Sequence, residues 1–243
     1  MQERIHALEA QLHLHLYHDG TGLVDYASIG SGARIIPKLT SDTYSDERTV
    51  SWYGRWRKRE TSADLVGLPP EFAIIPNTHV GSCWPMKGRQ GSLGISLARP
   101  TTITSFTIDH VPRDMSLRYQ IAPREGDLWG LLDELPPPGL HISNLTILAL
   151  SKSSSVFPDT SRIRRSRFAQ SHLTHLGSFA FDMSSGRPFQ TYNISKDTLE
   201  LLGDTKFKIV VLAIKENWGS DDLTCLYRIR IHSDSQAEMA GST

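Results

Sequence analysis

Apolar and polar residues alternate along much of this chain. Leu93, Ile95 and Leu97 are separated by Gly94 and Ser96. Phe106, Ile108 and His110 are separated by Thr107 and Asp109, and Phe179 and Phe181 flank Ala180. Near the end, Cys225, Tyr227, Ile229 and Ile231 alternate with Leu226, Arg228, Arg230 and His232. A period of two places such runs on half-buried strands. Phe207–Ile214 is nearly all apolar, the pattern of a central strand covered on both faces. Turn signals punctuate the runs at Gly30-Ser31-Gly32, Val111-Pro112-Arg113-Asp114, Ser184-Ser185-Gly186-Arg187-Pro188 and Asn217-Trp218-Gly219. Many short strands with no long helix after Tyr26 predict an all-β protein, an antiparallel β-sandwich.

Two stretches depart from this pattern. In residues 1–19, Ile5, Leu8, Leu12 and Leu16 form one helical stripe in a segment without Gly or Pro. The spacing lies nearer about 3.67 than 3.5 residues per turn, which favours straight or right-handed packing over a left-handed supercoil. A short coiled-coil lead and a terminal helix lying on the domain both fit. Asp19-Gly20-Thr21-Gly22 should end it. The second stretch, Leu135–Ser171, contains Pro136-Pro137-Pro138, a serine run and Arg162-Ile163-Arg164-Arg165-Ser166-Arg167. It is long for a loop and is expected to be a surface insertion, partly disordered. The chain thus divides into a helical lead (1–19), a main domain (20–232) and a tail (233–243).

Composition narrows the function classes. Lys plus Arg total 26 and Asp plus Glu total 26, so formal net charge is zero. A protein that wraps nucleic acid needs a basic surplus to neutralise phosphates. No apolar run approaches the roughly 20 residues that span a bilayer, and no signal-peptide core opens the chain. Two cysteines, Cys83 and Cys225, exclude a disulfide-stapled miniature and a four-cysteine zinc site. They leave open one bridge or two thiols.

Searching for catalytic chemistry returns little. There is no Gly-x-Ser-x-Gly elbow, phosphate loop or His-Glu-x-x-His motif, and no acid, base and nucleophile set for a catalytic sandwich. Gly88, Gly91 and Gly94 suit a turn-rich hairpin better than a phosphate cradle. His6, His13, His15 and His18 crowd the first helix without a ligand spacing that would hold a metal through side chains. Trp52-Tyr53-Gly54-Arg55-Trp56-Arg57-Lys58-Arg59 interleaves aromatic and basic residues, fitting either a solvated hairpin or a partner-binding edge. The Arg162–Arg167 cluster reads as solvated charge. Asn144-Leu145-Thr146 and Asn193-Ile194-Ser195 are sequons that matter only in a secretory-type lumen. His110 shares a face with Phe106 and Ile108, so its ring points inward or into a pocket. Tyr227 points inward beside Cys225 and needs a partner for its hydroxyl.

Taken together, Val24-Asp25-Tyr26-Ala27-Ser28, Gly30-Ser31-Gly32-Ala33, Thr43-Tyr44, Gly81-Ser82-Cys83-Trp84, His110-Val111-Pro112, Asn217-Trp218-Gly219 and Thr224–His232 closely resemble the SUN domain, from about residue 19 to 232. The resemblance implies an adaptor with no catalytic activity, held in the perinuclear space by an inner nuclear membrane protein. Its membrane span would lie outside this chain. The domain would trimerise and bind the C-terminal tail of KASH proteins of the outer nuclear membrane. That LINC complex links nucleus to cytoskeleton.

Site residues follow from the same resemblance. A protruding β-hairpin, the KASH lid, falls at about Tyr44–Leu65, with Tyr44, Trp52, Tyr53 and Trp56. A KASH peptide would add to it as a strand. The peptide's terminal carboxylate would enter a pocket containing His110 and Tyr227. The family's pocket serine falls at Ile121 and a second tyrosine at Leu223, so capture would lean on Tyr227 and backbone N–H groups. A loop holding a monovalent cation, potassium in expectation, matches Phe72–Cys83. Its main-chain carbonyl donors would be Phe72, Ile75, Asn77 and Ser82, with Tyr227 nearby. Cys83 and Cys225 match the family's intramolecular bridge, and closing so long a loop would contribute roughly 4–5 kcal/mol. The cysteine that ties the animal proteins covalently to KASH chains falls at Thr40, which forms no disulfide. The competing expectation is a lectin-like or membrane-surface-binding sandwich using Trp52, Trp56 and the nearby arginines. Whether the short lead supports a trimer, or folds back and blocks one, is decided by mass in solution.

Overall fold

The computed structural model describes residue 2 and residues 4–6, 20–45, 67–132, 146–153, 155–158 and 160–233. Among the described residues, ten strands form three antiparallel sheets. The largest runs in the order β1 (Arg34–Ile35), β3 (Gly91–Thr101), β8 (Phe207–Asn217), β5 (Pro123–Leu132) and β6 (His172–Ala180). Facing it are β10 (Arg228–His232), β4 (Ser105–Asp109) and β7 (Phe189–Asn193), while β2 (Trp84–Lys87) pairs with β9 (Leu223–Leu226). The predicted β-sandwich is therefore the observed fold. Leu93, Ile95, Leu97, Phe106, Ile108, Val210, Leu212, Ile214, Ile229 and Ile231 close the space between the two larger sheets, all fully buried. Phe106 stacks on Tyr192 at 5.4 Å and meets Phe179 edge-on at 6.4 Å. These offset and T-shaped geometries satisfy ring quadrupoles.

β8 is the middle strand, as its apolar run predicts. Val210, Leu212 and Ile214 face the sandwich, whereas Ile209, Val211 and Ala213 face the other way. That second face is covered by the described part of the long insertion. Two short helices, Ile147–Ser153 and Thr160–Arg164, and a 3-10 turn, Arg167–Gln170, bring Ile147, Ile163 and Phe168 against Leu131, Leu173, Ile209 and Val211. The described residues of the expected surface insertion thus form a packed cover, which a two-sided strand needs. Arg162, read as solvated charge, donates to the Thr40 carbonyl at 3.1 Å and to Asp42 at 2.7 Å.

Two further expectations change. The Gly88–Gly94 stretch is not a hairpin: β2 pairs with β9 and β3 with β8, so Gly88 turns the chain between sheets while Gly91 and Gly94 lie within β3. The alternating run Cys225–His232 is not one half-buried strand either. It breaks at Tyr227 into β9 and β10, and its polar members are as buried as its apolar ones. Arg230 meets Asp109 through three hydrogen bonds of 2.5–3.1 Å, and Arg228 pairs with Asp25 at 2.9 Å. His232 Nδ1 lies 2.9 Å from the Val24 carbonyl. The segment before β1 is thus strapped over β10, and buried charges are tolerated because each is paired.

Candidate functional site

The break at Tyr227 carries the site. Tyr227 sits between two strands that belong to different sheets, so its side chain is held at the seam. It packs with Cys83, Val111, Ile121, Leu223 and Cys225, with Tyr44 against their edge. Cys83 and Cys225 are disulfide-bonded, both fully buried, with Cα atoms 5.6 Å apart. The bridge links the end of the 72–83 loop to β9.

Beside Tyr227 opens a cavity of about 430 Å³ between two loops. One wall is Leu68, Phe72, Val80, Gly81 and Ser82; the other is Ser116, Leu117, Arg118 and Ile121. Leu117 is 96% exposed and Val80 53%, so the mouth is apolar and open. The Tyr227 phenol oxygen accepts the Gly81 N–H at 3.0 Å. Gly81 reaches this position with φ of +89°, a conformation that favours glycine. Burial pushes the phenol pKa up, and the Gly81 hydrogen bond offsets only part of that. Tyr227 therefore keeps its proton, which has no acceptor among the described residues.

His110 stands behind this wall, its ring 4.8 Å from that of Tyr227 and edge-on to it. It is 1% exposed. Nδ1–H donates to the Val111 carbonyl at 2.8 Å, and Nε2 has no partner among the described residues. Burial holds the ring pKa down to about 4, against the smaller opposing effect of the Val111 carbonyl, so the ring is neutral. The structure brings Ile121, Tyr227, Phe72 and Ser82 to the cavity surface. It sets His110 and Leu223 in the packing behind. Sequence reasoning missed Arg118 at the rim and the exposed Leu117; their one signal was the short stretch Arg113-Asp114-Met115-Ser116-Leu117-Arg118, too polar for a strand.

The 72–83 loop is tight. Pro70–Ile74 is a 3-10 helix. Ile75 N–H donates to Phe72 O, Asn77 N–H to Ile75 O, and Ser82 N–H to His79 O. The carbonyls of Asn77 and Ser82 accept no backbone hydrogen bond among the described residues, and those of Phe72 and Ile75 keep a second lone pair. Neutral carbonyl oxygens are the donor type that a hard cation would take. Tyr44 N–H donates to Pro85 O at 2.7 Å and Trp84 Nε1 to Thr43 Oγ1 at 3.0 Å, fixing the approach to the expected lid. Trp52, Tyr53 and Trp56, and most of the lid with them, lie outside the described residues, as do His13, His15, His18 and Asn144. Thr40 is buried, its hydroxyl donating to Ile36 O and accepting from Gly94 N–H.

The family model described as Sad1 / UNC-like C-terminal matches residues 67–147 and 139–235. The chain belongs to this family. SUN domain-containing protein 2 of Mus musculus is 26% identical over 96% of this chain, and SUN domain-containing protein 1 of Homo sapiens 28% over 91%. The Klaroid protein of Drosophila melanogaster is 26% identical over 90%. The chain spans about a quarter of the first two relatives, 26% and 23% of their lengths, and 18% of Klaroid. Among solved structures, a family 32 carbohydrate-binding module from Streptococcus pneumoniae EndoD aligns over 87% of this chain and all of its own, at TM-score 0.47 and 10% identity. That likeness is too loose to carry a functional argument. No helix among the described residues is long and apolar enough to cross a membrane.

Proposed function

We propose that this SUN domain is a non-catalytic adaptor of the LINC type, which captures the C-terminal tail of a KASH protein in the perinuclear space. The observation that carries this reading is the Tyr227 cavity. A phenol with a free proton lies at its inner wall and a guanidinium, Arg118, at its rim. Both are donors to a terminal carboxylate. Between them the walls are lined by the apolar Phe72, Val80 and Ile121. The tail's last side chain would therefore rest against Phe72, Val80 and Ile121, while its backbone adds to the lid as a strand. The 72–83 loop forms one wall, and the carbonyls of Phe72, Ile75, Asn77 and Ser82 would hold a potassium ion there. Such an ion, when bound, supplies positive charge that stiffens the loop.

The test is binding of a fluorescent synthetic peptide ending in a KASH C-terminus, expected at micromolar strength or better. Extending that terminus by one residue should abolish capture of the carboxylate. Tyr227→Phe deletes one donor to a charged acceptor and should weaken binding by roughly 10- to 100-fold. Equal binding of the extended and native peptides would sink the carboxylate pocket.

A further inference from the structure

We infer that Asn193 is an N-glycosylation acceptor, and that its glycan shields an open sheet edge. The inference rests on the lumenal placement proposed above, and it draws on two features other than carboxylate capture by Tyr227. The first is the Cys83–Cys225 disulfide, which belongs to an oxidising compartment. The second is the geometry of Asn193-Ile194-Ser195.

Asn193 is the last residue of β7, the outermost strand of the three-stranded sheet. Tyr192 points into the sandwich, where it stacks on Phe106. Alternation therefore turns Asn193 to the opposite face. There it is exposed, and its carboxamide has no hydrogen-bond partner among the described residues. Ile194 then turns into the core and donates its N–H to Thr104 O at 2.9 Å. Ser195, whose hydroxyl the sequon requires, starts the helix Lys196–Leu202 and accepts the Thr198 N–H. A sugar on Asn193 would thus displace no packed group. In the transfer, Asn193 Nδ2 attacks the anomeric carbon of a lipid-linked oligosaccharide pyrophosphate. The carbon–nitrogen bond forms, the carbon–oxygen bond to pyrophosphate breaks, Nδ2 loses one proton, and the lipid pyrophosphate leaves with the electron pair.

The register shows what the glycan protects. The pairs Thr104–Ile194 and His110–Pro188 carry backbone hydrogen bonds at the two ends of the β4–β7 ladder. Antiparallel alternation then makes Phe106–Tyr192 and Ile108–Gln190 the bonded pairs between them. The N–H and C=O groups of Phe189, Thr191 and Asn193 are left facing outward, an open template for another strand.

The experiment isolates the natural protein, tagged at its own locus, under thiol-trapping conditions and digests it with a peptide:N-glycosidase. Mass spectrometry should find Asn193 converted to Asp and Cys83 linked to Cys225. An unmodified Asn193 alongside an intact disulfide overturns the glycan and leaves the lumenal reading standing. Free thiols at both cysteines overturn that reading and the glycan with it. Asn193→Gln, which keeps an exposed amide but no sequon, should lose one glycan mass and self-associate more readily in sedimentation. Unchanged sedimentation would overturn the shielding role.

Discussion

His110 shows how one buried side chain makes stability depend on pH. In the unfolded chain its ring takes a proton near pH 6.5; in the fold, burial delays this to about 4. Below 6.5 the unfolded state binds more protons, so the contribution is complete above 6.5 and lost as pH falls toward 4. At about 1.4 kcal/mol per pH unit, the loss reaches about 3 kcal/mol. His110→Gln keeps a donor for the Val111 carbonyl but cannot titrate, so urea unfolding at pH 7 and 4.5 should show a smaller drop than in the parent. His232, also pushed down by burial, retains part of the slope. Asp127 acts in a lower window. Burial raises its pKa, but hydrogen bonds from His175, Lys215 and Ser178 outweigh that and hold it at about 2. Its stabilisation is present above about 3.8 and lost below that, as pH falls toward 2.

At the scale of elements, the insertion and β8 depend on each other. Ile163 is fully buried against the outer face of the sheet. Ile163→Ala should cost about 2–5 kcal/mol through lost contacts and an unfilled cavity, read as a lower urea midpoint. An effect below about 0.5 kcal/mol would mean that the cover contributes little. The two-sided burial of β8 was legible in Phe207–Ile214, yet its cover was not: serines and arginines mask Ile147, Ile163 and Phe168, which are spread over short helices. The period-two signal at residues 225–232 was equally genuine and still misled. Arg228 and Arg230 sit on what a pattern reading takes for the solvent face, but Asp25 and Asp109 meet them there from distant parts of the chain. A single sequence does not announce such pairs. Asn217 was legible only as a turn, whereas it is a buried hub. Its carboxamide bonds Ser220 O, Leu223 O and Thr224 Oγ1 and accepts the N–H groups of Gly219 and Ser220. In the site, Tyr227 and His110 were legible because alternation aims them inward, while Arg118 was hidden in a turn.

For the whole molecule, the proposed reading expects peptide capture to track assembly, because a strand added to the lid would lie between that lid and a neighbouring copy of the domain. Light scattering should report a trimer for preparations that bind the KASH peptide. A monomer that binds it equally well would show that one copy holds the complete site.

The disulfide has a mechanical meaning for an adaptor that would carry load. Cys83 and Cys225 are 142 positions apart, so tension applied at the two ends passes through the sulfur bridge and bypasses everything between. Four strands of the five-stranded sheet, β3, β5, β6 and β8, and the helical cover lie inside that loop, whereas β1 lies outside it. Roughly 500 Å of contour, 142 residues at about 3.5 Å each, stays locked as hidden length. In a single-molecule stretching experiment the oxidised domain should lack that extension, and a reducing agent should release it. The bond thus acts as a stop: β1 and β10 can give way while β3 to β8 stay behind it.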